Sequence, residues 1–119
     1  MYRETVYLNP IEVAQDMERK LHNEEHCDLI ICLSHIGYEY KDNPNKVCDL
    51  KVAAQTSYID LIIGGHTHTF LPKPTLVTNR REKTTLVNQV GCYGINLGRI
   101  DFFFEDEKLV KNKSVSIEV

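Results

Sequence analysis

Apolar positions fall into two short unbroken runs and several periodic stretches, and their spacing predicts the elements of the chain. Val13, Ala14, Met17 and Leu21 recur at helical intervals. Ahead of them Asn9-Pro10-Ile11-Glu12 is a helix start: Asn9 caps, Pro10 suits the first helical position, and Glu12 completes a box-like pattern. This predicts a helix over residues 10–25, with Glu18, Arg19, Lys20 and Glu24 largely on its polar side. Thr5-Val6-Tyr7-Leu8 before it predicts a short strand. Leu29-Ile30-Ile31-Cys32-Leu33 shows no alternation, which predicts a strand covered on both faces. Val47, Leu50, Ala53 and Ala54 predict a second helix ending near Ser57, and Ile59-Asp60-Leu61-Ile62-Ile63 predicts the next strand.

Strand, helix, strand at this separation predicts a parallel crossover. Downstream, residues 75–78, 84–90, 97–104 and 115–119 predict strands, with charged turns at 79–83 and 105–108. Ile100, Phe102 and Phe104 share one face of the third of these. The expected fold class is α/β: a β-α-β crossover followed by mainly antiparallel strands. Residues 1–119 are read as a single domain.

Composition narrows the partners. The net charge of -3 argues against a nucleic-acid polymer, whose groove calls for a basic excess. No apolar run approaches the roughly 20 residues that span a bilayer. Cys27, Cys32, Cys48 and Cys92 form no C-x-x-C pair, so they are expected to be reduced or simply buried rather than a zinc site.

The chemistry lies where the two apolar runs end. The first leads into Ser34-His35-Ile36-Gly37, the second into Gly64-Gly65-His66-Thr67-His68-Thr69. Ligands of parallel sheets gather beyond the carboxyl ends of the strands. Neighbouring strands lie about 4.8 Å apart, so imidazoles on two such ends can converge on one ion. His66 and His68 are nitrogen donors suited to zinc, manganese or iron. The glycines are expected to let the backbone bend and pass close to a metal or phosphate. His22 and His26 have no acid in the zincin arrangement H-E-x-x-H, Asn23 following the first, and read as a solvated helix end. Tyr38, Tyr40 and Tyr93 read as ordinary packing.

Three segments carry a resemblance. Ile31-Cys32-Leu33-Ser34-His35-Ile36-Gly37 resembles the L-S-H-x-G segment of bacterial 5'-nucleotidases, a branch of the calcineurin-like metallophosphoesterases. Gly64-Gly65-His66-Thr67-His68-Thr69 resembles their G-G-H-[ST]-[HQ]-T segment, and residues 87–101 resemble the segment closing their catalytic domain. The order agrees, and nearly the whole chain is covered. The resemblance implies a partial metallophosphoesterase sandwich and a site of two divalent ions, Zn or Mn. His35 and His66 would bind one ion and His68 the other. It implies a small-molecule phosphate ester as substrate, a nucleoside 5'-phosphate or a related ester, and a periplasmic or cell-envelope setting.

The family's D-x-H, G-D and G-N-H-[DE] motifs are absent. Asp28, Asp42, Asp49 and Asp60 stand in other contexts. The chain therefore corresponds to the C-terminal half of such a catalytic domain. Two cations about 3.5–4 Å apart need bridging negative charge, and three neutral imidazoles supply none. The chain alone is expected to be inactive and to hold no metal, or one ion weakly. The missing half or a second copy of the chain is expected as partner. The alternatives are a non-catalytic metal- or partner-binding module that kept the fold, and a subunit completed by a second chain.

Overall fold

The computed structural model describes residues 4–119. In order it comprises α1 (Pro10–Arg19), a π-helical turn (Lys20–Glu24), β1 (Ile31–Leu33), α2 (Asp49–Ala54), β2 (Leu61–Ile63), β3 (Thr75–Thr78), β4 (Thr84–Asn88), β5 (Asn96–Glu105) and β6 (Lys108–Glu118). β1 to β4 form one sheet in the order β1-β2-β4-β3, and β5 with β6 forms a separate antiparallel hairpin. The fold is mixed α/β, as expected.

β1 and β2 are parallel, joined by the predicted crossover through α2. β4 also runs parallel to β2, which the expectation of antiparallel strands had not included. The β3–β4 hairpin docks with β4 inward because Thr85, Leu86 and Val87 are all buried, whereas β3 alternates between half-buried and exposed residues. The core lies between the sheet and α2, where Ile62 and Val87 meet Val52 and Ala53 beside Ile30 and Ile59. The β5–β6 turn places Asp106 and Glu107 at positive φ, the backbone of a two-residue hairpin.

α1 starts as its sequence dictates. Asn9 Oδ1 accepts the Ile11 and Glu12 N–H groups at 2.9 and 3.4 Å. Its inward face differs from the expectation, however. Glu18 is buried, and Val13 and Met17 are exposed. The chain leaving α2 presents two N–H groups toward α1, and the Glu18 carboxylate accepts both, from Ser57 at 2.8 Å and Tyr58 at 2.6 Å. Charge-assisted bonds of this kind outweigh burial of one more apolar side chain. Ile11, Ala14 and Leu21 share that face and pack on the core.

Two further expectations fail together. Residues 5–8 form no strand, having no ladder partner among the described residues. β1 is covered on one face only: Cys32 is half-buried, but Leu33 is 80% exposed. β1 is a sheet edge, and α1 packs against α2 instead of lying over the open face. A cleft of about 880 Å³ results, lined by Val6, Tyr7, Leu8, Val13, Met17 and Leu33 among others. No helix among the described residues is long and apolar enough to cross a membrane.

The side chains left open above fall into place. Cys27, Cys32, Cys48 and Cys92 are free thiols. His22 stacks on the Tyr58 ring at 3.7 Å, with the Arg81 guanidinium 4.6 Å from the same ring, so it is less solvated than expected. His26 is exposed.

Candidate functional site

β1 and β2 lie side by side in register, Leu33 opposite Ile63, so their carboxyl ends open at one rim. The Ser34 N–H donates to the Ile63 carbonyl and the Gly64 N–H to the Asn88 carbonyl, both at 2.9 Å. These bonds extend the ladders one step before the loops peel away. The rings of His35 and His66 then meet edge to face, with centroids 5.3 Å apart. His68 stands apart, its ring 6.3 Å from that of Tyr93. Tyr93 is 89% exposed, contrary to the packing role expected of it. Tyr38 and Tyr40 are packed, their hydroxyls bonded at 2.7 Å to Thr75 Oγ1 and the Ile36 carbonyl.

The loop is strained where the histidines sit. His66 and His68 have φ of 72° and 51°, the left-handed region that costs an L-residue about 1–2 kcal/mol. Gln89 over-determines this conformation. Its Oε1 accepts the Thr69 N–H at 2.6 Å, and its Nε2 donates to the Gly65 carbonyl at 3.1 Å. Thr67 adds three bonds: its Oγ1 accepts the Tyr38 N–H at 3.0 Å, it lies 2.8 Å from Thr69 Oγ1, and its N–H donates to the Gly65 carbonyl at 2.9 Å. Strain held in place by a polar network is a mark of functional loops.

The glycines act differently from the expectation. Neither Gly64 nor Gly65 has positive φ. They are needed because side chains lie against their backbone: a Cβ on Gly64 would overlap Asp49 Oδ2, and one on Gly65 would stand 2.9 Å from His35 Nδ1.

Asp49 is the site residue that sequence reasoning passed over. The sequence shows only that it stands outside the family's acidic motifs. In the structure it is buried, with Oδ1 accepting the Ser34 hydroxyl at 2.5 Å. Burial pushes its carboxyl above the usual carboxylate range, while the Ser34 hydrogen bond and the field of His35 pull it down. Burial likewise raises the Cys32 thiol, with the nearby Asp49 adding to it.

His35 and His66 are the residues that could each give a ring nitrogen to one cation. Among the described residues no group of three or more His, Cys, Asp or Glu converges, so a complete metal site is not formed by them. Carboxylates and water would have to fill the remaining positions.

The mixed α/β sheet agrees with the partial metallophosphoesterase fold expected from the sequence, and comparison with known proteins gives the branch. The chain is 37% identical over 114 residues to the trifunctional nucleotide phosphoesterase protein YfkN of Bacillus subtilis, covering 96% of this chain and 7% of that protein. It is 31% identical over 107 residues to an apyrase of Aedes aegypti, covering 75% of this chain and 18% of that one. The solved 5'-nucleotidase precursor of Thermus thermophilus superposes with a TM-score of 0.80 at 28% identity, over 95% of this chain and 23% of that one. No protein-family profile matches. The homologues of this chain are thus members of the 5'-nucleotidase and apyrase family, and the chain spans less than a quarter of the length of each of these three relatives.

Proposed function

We propose that residues 1–119 are the histidine-bearing half of a phosphoesterase catalytic domain that hydrolyses nucleoside 5'-phosphates or related esters. The observation that carries this reading is the meeting of His35 and His66, 5.3 Å apart, beyond the carboxyl ends of two adjacent parallel strands. His35 and His66 would serve one divalent cation and His68 a second, Zn or Mn being suited to imidazole. A pair of such ions supplies charge for clamping a phosphate and acidity for an attacking water. The chain's own residues hold the imidazoles in place; the bridging acid and the leaving-group acid must come from other polypeptide.

The open face of β1 supports a completing polypeptide, in the same chain or in a second one. Leu33 and the cleft beside it expose apolar surface on a strand edge that is unpaired among the described residues, and the relatives are several times longer. An exported setting is part of the same reading, since the Thermus relative is a precursor.

The test has two arms. Phosphomonoesterase activity of this chain with Mn²⁺ or Zn²⁺ is expected at background, rising on addition of a polypeptide carrying D-x-H and G-N-H-[DE], and falling again with His66→Ala. Turnover by the chain alone that His66→Ala abolishes would overturn the half-site reading. A mixture that never gains activity would favour the non-catalytic module.

A further inference from the structure

One buried acid has no part in the proposed reaction. Asp49 is 1% exposed and touches both loops of the site. Oδ1 accepts the hydroxyl of Ser34, the residue before His35. Oδ2 presses on Gly64, where a Cβ would overlap it, and has no hydrogen-bond partner. Next to it, Gly65 carries the His35 ring. A first-turn aspartate ordinarily faces water or the free N–H groups of its own helix; this one turns to the strand ends.

We propose that Asp49 is a positioning residue whose carboxyl spans the two strand ends, fixes Ser34-His35 against Gly64-Gly65, and so sets the spacing of the His35 and His66 rings. The last ladder bond between the two loops is Ser34 N–H to the Ile63 carbonyl, and further out the Tyr38 N–H donates to Thr67 Oγ1. Asp49 adds a contact between them, directly behind the strand ends and the histidines, through a side chain rather than the sheet. Each glycine then has a partner: Gly64 makes room for the acid, and Gly65 for the ring. The inference rests on the reading of His35 and His66 as partners at one site, but the spacing itself is measurable without metal or substrate.

The experiment is nuclear magnetic resonance on the 119-residue chain, reading the His35–His66 ring contact and amide exchange. In Asp49→Ala, exchange at Ser34 and Gly64 is expected to rise at least tenfold more than at Leu86, whose N–H bonds to the Asp60 carbonyl at the far end of β2. The ring contact should weaken. Asp49→Asn, which keeps an acceptor for Ser34, should restore both readouts. Ser34→Ala should loosen the same two amides with little effect elsewhere, which keeps the test open if Asp49→Ala does not fold. A uniform rise at all three amides with the ring contact kept would overturn the proposal, as would Asp49→Asn behaving like Asp49→Ala. A Co²⁺ titration of the chain mixed with a polypeptide carrying D-x-H and G-N-H-[DE] separates the two levels: a mixture that binds no Co²⁺ counts against the metal reading alone, and the clamp is still judged by exchange and ring contact.

Discussion

Replacing Gln89 by Ala removes the side chain that holds the strained histidine loop. Its two short bonds go, one to the Thr69 N–H at 2.6 Å and one to the Gly65 carbonyl at 3.1 Å, together with longer contacts to Thr67 Oγ1 at 3.4 and 3.5 Å. Each short bond is worth about 1 kcal/mol net, and the loop groups left unpaired add to the cost, so the loop loses roughly 2–3 kcal/mol of support. The left-handed conformations of His66 and His68 together store about 2–4 kcal/mol. Support and strain are thus of similar size, and the loop should relax once the support is gone. Relaxation recovers part of the loss, so global stability should fall by only about 1–2 kcal/mol while local opening becomes much easier. The assay pairs urea unfolding with hydrogen exchange at Thr67 and Gly91, whose N–H groups bond to the Gly65 and Thr69 carbonyls. At about 1.4 kcal/mol per tenfold, 2–3 kcal/mol corresponds to exchange roughly 30- to 150-fold faster at those two amides. Exchange within threefold of the parent, with unfolding unchanged, would refute the idea that Gln89 holds the loop.

The remaining predictions concern other elements. Glu18→Ala strands the Ser57 and Tyr58 N–H groups and should cost about 2–4 kcal/mol in urea unfolding, with Glu18→Gln recovering part of it. Asp49 has a raised folded pKa, so the stability it lends is complete below the ordinary carboxylate range and is lost as pH rises through its folded pKa. The stability of the parent minus that of Asp49→Asn should therefore decline across that window, and a flat difference would contradict the assigned burial. Leu33, on the open face of β1, should drive self-association of the isolated chain. Light scattering should show a dimer or larger assembly that Leu33→Glu reduces, and an unmodified chain that is already monomeric would count against it.

The sequence by itself determined the elements that local rules govern. Asn9 and Pro10 start α1, two apolar runs make β1 and β2, and their spacing makes the crossover that brings His35 and His66 to one rim. Periodicity and capping act over a few residues, so they are readable without coordinates. The tertiary structure decided which face of each element turns inward. Glu18 is inside because amides from a distant segment need an acceptor, and β4 lies inside the sheet between β2 and β3 because its three buried residues need cover on both faces. Likewise Asp49, which no local pattern singles out, becomes the back of the site only when the start of α2 meets both strand ends. Partners far apart in sequence settle such choices, and no window along the chain contains both members of the pair.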